Sequence, residues 1–185
     1  LYWDLRGYDS IPNYRTAIKA FDAKRYDEAQ AILDTASSLF LEKRDFRKVY
    51  TVQNEKGVMY FLEKSFQKSY DILTANLKLM QENNDTLHHE FAINMRFMGY
   101  LANQSGLVKH PRRFFYHRQQ TVLEMMKDST QIMADCYGDL GIDYTKAGDM
   151  EEGLDYLLKA RMLHKKLKND YSLLVIDHTI TNRME

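Results

Sequence analysis

The stretch from Ile132 to Met162, IMADCYGDLGIDYTKAGDMEEGLDYLLKARM, decides the reading of this chain. Ile132, Met133, Cys136, Tyr137, Leu140 and Tyr144 recur at steps of one, three and four, the apolar face of a helix. Gly141 lies on the same face, where the missing side chain lets a neighbouring helix come close. Gly148 suits the positive φ that ends a helix, and Asp149 suits the N-cap of the next. Glu151 and Glu152 then stand in a first turn, where carboxylates complement the helix dipole. Leu154, Leu157, Leu158 and Met162 continue at helical spacing, and Lys165, Lys166 and Lys168 crowd the far end. The stretch therefore reads as two helices joined by a tight turn.

The same plan recurs upstream. Ala17, Gly57, Gly99 and Gly141 are separated by 40, 42 and 42 residues, and Ala20, Tyr60, Ala102 and Tyr144 follow them three residues on. A fixed period of this length marks a chain built from one repeated supersecondary unit. In the first unit Ala17 and Phe21 lead through Lys24–Ala29 to Ile32, Leu33 and Ala36; in the second Gly57 and Tyr60 lead through Lys64–Ser69 to Ile72, Leu73 and Leu77. The third has Met98, Gly99 and Tyr100, then a turn three or four residues longer, with its second helix starting at Pro111, a residue suited to a first helical turn. The spacing predicts nine helices, over 12–23, 26–43, 46–63, 66–82, 86–105, 111–127, 130–146, 150–167 and 171–184, and no strands. Residues 1–10 read as the remnant of a preceding helix or cap. Units are expected at 11–45, 46–85, 86–128 and 129–170, followed by a helix at 171–185. The chain starts on Leu1 and ends on Glu185 inside a helical pattern, so it is expected to be a piece of a larger protein.

These residues resemble the tetratricopeptide repeat (TPR), whose unit is two antiparallel helices. The first carries a large apolar residue, a glycine and, three residues on, an aromatic; an alanine stands near the start of the second. Leu140, Gly141, Tyr144 and Gly153 fill those places in the fourth unit, Lys56, Gly57, Tyr60 and Ser69 in the second, and Thr16, Ala17, Ala20 and Ala29 in the first. Thr16, Lys56 and Gly153 depart from the pattern. The step exceeds the roughly 34 residues of the common form and is similar to the longer variant of kinesin light chains and bacterial signalling arrays. The resemblance implies an all-α, right-handed α-solenoid of stacked antiparallel helix pairs, because one hairpin cannot bury its own apolar face and a stack can.

It also implies a binding groove lined by the first helix of each pair. By repeat register the groove residues are Asn54, Val58, Phe61, Arg96, Tyr100, Asn103, Gln104, Thr145 and Lys146, with Tyr14, Ile18, Phe21, Leu62 and Ile142 beside them. Aromatics supply contact area at low entropy cost and amides hydrogen-bond peptide backbone, so a protein or peptide ligand is expected. The lysine and asparagine clamp by which some TPR proteins hold a terminal carboxylate is not reproduced. In the bacterial arrays it resembles, such repeats precede a histidine kinase, a DNA-binding regulator or a caspase-like peptidase, so a segment gating a flanking output domain is the alternative.

Composition narrows the rest. The chain has 26 basic and 26 acidic residues, so no global charge draws it to nucleic acid or an anionic membrane. No apolar run approaches the length of a membrane span. Cys136 is the single cysteine, which rules out an intrachain disulfide. It sits on an apolar helix face, where thiols are inert. His88, His89 and Glu90 form the densest metal-like cluster, but adjacent histidines point about 100° apart on a helix and cannot share an ion. His110 and His117 lack a companion ligand. No catalytic constellation, metal or cofactor is expected, and the cytoplasm is the favoured compartment. The most basic stretch runs from Lys109 to Arg118; its Phe114 and Phe115 read as core, and Lys109, Arg112, Arg113 and Arg118 form a candidate patch for an anion or acidic partner.

Overall fold

The computed structural model describes residues 11–104, 106, 108 and 111–184; the expected remnant at 1–10, Lys109 and His110 lie outside them. The described residues form nine helices and no strand: α1 (Tyr14–Asp22), α2 (Tyr26–Glu42), α3 (Phe46–Leu62), α4 (Phe66–Glu82), α5 (His89–Gln104), α6 (Arg112–Met125), α7 (Gln131–Ala147), α8 (Met150–Lys166) and α9 (Asp170–Met184). The chain falls into two compact units that divide after Asn84. In the first, α1 packs on α2, α2 on α3 and α3 on α4. In the second, α5 pairs with α6 and α7 with α8; α7 also touches α5 and α9, and α8 packs on α9.

The helices α1 to α8 are each followed by a left-handed residue. Lys24, Arg44, Lys64, Asn84, Gly106, Lys127, Gly148 and Lys168 all have positive φ, between 52° and 94°. They recur every 20 to 22 residues along the chain. The amide after the left-handed residue closes back on the final turn, as in Arg25 to the carbonyl of Ala20 (2.8 Å), Ser65 to Tyr60 (2.9 Å) and Asp149 to Tyr144 (3.0 Å). This is the Schellman-type closure that satisfies orphan carbonyls. After α1, α2, α3, α7 and α8 it reverses the chain within three residues.

The recurrent small residues are where each hairpin closes. A Cβ on Gly57 would lie 2.6 Å from Leu73 on α4, and one on Gly141 would lie 2.7 Å from Leu157 on α8. One on Gly99 would collide with the Tyr116 ring of α6. Around these crossings Ala17, Ala29, Leu33, Val52 and Met59 build the core of the first unit, and Tyr116, Leu123, Cys136 and Leu140 that of the second.

The third hairpin differs from the expectation of a simple insertion. Its connection, 105–111, is longer than the 63–65 turn, but α6 has 14 residues where α4 has 17. Most of the longer turn is thus taken from the start of α6. Gly99 meets the residue 17 places on, and Gly57 meets the one 16 places on, so the crossing register shifts by a single residue. Pro111 stands at the N-cap with φ −64° and ψ 150°, and the helix begins just after it.

Candidate functional site

In the second unit two first helices, α5 and α7, lie side by side and are joined by ions. Arg96 and Tyr100 are four residues apart on α5, as are Asp135 and Asp139 on α7, so each pair presents one face. Arg96 donates from Nε to Asp139 (2.8 Å) and from Nη1 to Asp135 (2.7 Å). Its Nε also donates to the Tyr100 hydroxyl (2.7 Å), which itself donates to Asp139 (3.1 Å). Burial is the largest single influence and disfavours the guanidinium charge, but Asp139, Tyr100 and Asp135 together outweigh it and hold the pKa well above the ordinary value. Burial also pushes the Tyr100 phenol well up, and it raises the Asp139 carboxyl against the pull of Arg96.

His164 of α8 closes the network from below. Its Nε2 lies 3.8 Å from Asp135, its Nδ1 lies 3.4 Å from the Gln131 amide, and it is only 2% exposed. Burial pushes its pKa below the ordinary value; Asp135 opposes the shift and Arg96 adds to it. Gln131 donates to Asp135 (2.5 Å) and accepts from Asn169 (2.8 Å), which ties the start of α7 to the turn before α9. Beside Arg96, Asp135 and Asp139 opens a cleft of about 140 Å³, with Ile142, Val175 and Ile176 on its apolar side.

A second cluster joins α6 to α7 and the turn that follows. Arg112 and Arg113 both pair with Asp143, and Arg113 also reaches Asp149 (3.3 Å). The Arg113 guanidinium sits 3.8 Å over the Tyr144 ring, and Tyr144 stacks on Tyr156 with centroids 5.6 Å apart. Asp149, expected to cap α8 with its side chain, makes no such bond, because Arg113 takes the carboxylate instead.

The expected groove is corrected at several positions. Asn54 and Val58 are fully buried, and Asn54 accepts from Asn76 (2.8 Å), so neither offers a surface to a ligand. Thr145 is buried, its hydroxyl bonded to the Ile142 carbonyl (3.1 Å). Phe61 is half-buried against Phe66, with centroids 5.6 Å apart. Arg96 and Tyr100 are committed to the ion network, and only Arg96 also lines the cleft. Asn103, Gln104 and Lys146 are exposed, and Asn103 accepts from Arg112 (3.1 Å). The candidate anion patch is likewise corrected: Asp143 and Asp149 compensate Arg112 and Arg113, which among the described patch residues leaves Arg118, exposed beside the Phe91 and Phe114 rings. Asp135 and Asp139 were missed. Their signal was the four-residue spacing of two acids on a first helix, about one repeat beyond the four-residue pair Arg96 and Tyr100.

The remaining candidates have ordinary roles. His89 pairs with Asp128, and His88 accepts from the Glu90 amide (3.2 Å). His117 bonds the Tyr144 hydroxyl (3.0 Å). Among the described residues no group of three His, Cys, Asp or Glu is placed to hold a metal ion. Cys136 is buried, its thiol directed at the Tyr116 carbonyl and its pKa pushed up by burial. No helix among the described residues is long and apolar enough to cross a membrane.

No family model and no curated protein matches this sequence. Solved structures do match its fold. The nearly identical TPR-like repeats described as those of a kinesin light chain from Podosopora anserina superpose with a TM-score of 0.68 at 13% identity, over 92% of this chain and 83% of that one. A single-substitution variant of the same protein gives 0.70 at 13% identity, over 92% and 82%. BtubC (BKLC) from P. vanneervenii gives 0.65 at 16% identity, over 84% of this chain and 63% of that one. At such identities the likeness is one of fold: the chain is an all-α, TPR-like helical-repeat protein.

Proposed function

We propose that this chain is a protein- or peptide-binding scaffold with no catalysis of its own. The observation that carries the reading is the face shared by the first helices α5, α7 and α9, where an open cleft combines charged groups with an apolar wall. Exposed Asn103, Gln104 and Lys146 extend the polar surface of α5 and α7. Groups of this kind suit an extended chain: amides meet its backbone, and a cleft takes alternate side chains. The buried thiol and the internally paired histidines offer no activated nucleophile or base. A partner that is a flanking domain of the same protein would make the same face a gate.

The test is selection of displayed random peptides on the immobilised chain, followed by binding assays with the exposed-residue variant Asn103→Ala, Gln104→Ala, Lys146→Glu. Selected peptides should lose most of their affinity for the variant while its helical circular dichroism is unchanged. Recovery of no peptide, or equal binding by the variant, would move the function off this face. Asn54 and Arg96 are unsuitable for this test, since one is buried and the other holds α5 to α7.

A further inference from the structure

The cleft beside Arg96 carries unbalanced charge. Arg96 brings one positive charge to two carboxylates, Asp135 and Asp139, whose side chains are 20% and 16% exposed. His164, held neutral at pH 7 by its depressed pKa, does not correct the balance. The guanidinium bonds go to one oxygen of each acid; Oδ1 of Asp135 also accepts from Gln131 at 2.5 Å, while among the described residues Oδ1 of Asp139 receives only the Tyr100 hydroxyl at 3.3 Å. An ionised carboxylate has about four lone-pair sites, so acceptor capacity remains. Arg161 of α8 is tied to Asp177 at 2.6 Å. The aliphatic lining comes from Ile142 on the acids' own helix and from Val175 and Ile176 of α9, and Tyr171, 79% exposed, lines the cleft as well.

We propose that this cleft receives one lysine or arginine side chain of a peptide partner laid across α5, α7 and α9. The proposal rests on the peptide-binding reading above and adds the chemistry of the partner. The aliphatic stem of a basic side chain lies along Ile142, Val175 and Ile176 while its head meets the spare acceptor of Asp139, with the Asp135 charge beside it, the division of labour that long cationic side chains favour. Size agrees: about 140 Å³ approaches a cavity that holds one benzene-sized group and falls below the roughly 300 Å³ at which whole-ligand pockets begin. An anionic side chain is disfavoured, since the guanidinium is already committed to both acids.

The experiment is an amide chemical-shift titration of the ¹⁵N-labelled chain with a short capped peptide bearing one central lysine. Matched peptides carry norleucine or glutamate in its place, and free spermidine is a further probe. The lysine peptide should saturably shift amides of 135–142 and 171–176. The norleucine peptide should bind about fivefold more weakly or worse, the worth of one well-placed ion pair, and the glutamate peptide weaker still. Asp139→Asn should weaken the lysine peptide by a similar factor. Because that variant also disturbs Arg96, Ser172→Lys is the second test: it sets a competing cation at the rim, leaves both acids intact and should block the peptide. Equal affinity for lysine and norleucine would overturn the charge assignment and leave the peptide-binding reading standing. Spermidine binding as tightly as the peptide would replace it with a small-amine site. Absence of shifts in the cleft at about 5 mM lysine peptide, weaker than any useful subsite, would overturn the proposal whatever the displayed-peptide selection returned.

Discussion

Gly153 stands where the repeat pattern has an alanine, and Thr145 explains the exchange. A Cβ at Gly153 would strike the Thr145 methyl and come within 2.8 Å of the Thr145 backbone nitrogen. In the second hairpin the equivalent place holds Ser69, whose hydroxyl donates to the Gly57 carbonyl at 2.7 Å. The backbone of α7 and the Thr145 methyl together thus exclude a side chain at this place on α8. Gly153→Ala should cost about 1–3 kcal/mol, the usual penalty of overpacking a closed crossing, read as a lower urea midpoint. Gln119 makes the opposite case. It is fully buried on α6, and neither end of its amide has a partner among the described residues. Gln119→Met, close in shape and without the stranded polar atoms, should raise stability by about 1 kcal/mol in the same assay.

At the scale of the element, the recurrent left-handed residue is the device that makes a hairpin. Sequence reading found it at Gly148, where φ is 94°, because glycine advertises the conformation. At Lys24, Arg44, Lys64, Lys127 and Lys168 the same turn is made by residues with a Cβ and is invisible to composition. A non-glycine residue in this region costs about 1–2 kcal/mol, and a glycine there gives back about 0.5–1 kcal/mol as unfolded-chain entropy. Lys64→Gly should therefore stabilise by roughly 0.5 kcal/mol or more, while Gly148→Ala, with open space around its Cβ position, should destabilise by about 1 kcal/mol through strain alone. Thermal unfolding of the two variants checks both signs. The short α6 shows the limit of local reading: a longer turn looks like an insertion, but the helix gives up its first turn to keep Tyr116 against Gly99.

At the scale of the whole molecule, the ion network links pH to the stability of the unit beyond Asn84. His164 faces Asp135, Arg96 and Gln131, and its folded pKa lies below the ordinary 6.5. Between those two values the unfolded chain binds a proton that the folded one refuses, so stability falls as pH drops below about 6.5. Urea midpoints should decline from about pH 7.5 to about pH 5.5, and His164→Gln should flatten that decline. Asp139 acts with the opposite sign nearer the carboxylate range, since its raised pKa lets the folded state keep a proton that the unfolded state has lost. The all-α repeat class, the helix boundaries to within a few residues and the places of close approach were determined by sequence alone, because apolar period, small residues and cap residues act within a turn or two of where they stand. The working face was decided by tertiary structure. Whether Asn54 or Thr145 meets solvent depends on which neighbours cover its helix, and Arg96 finds its acids 39 and 43 residues away. Such pairings are set by the angle at which hairpins stack, a quantity that no local pattern of residues encodes.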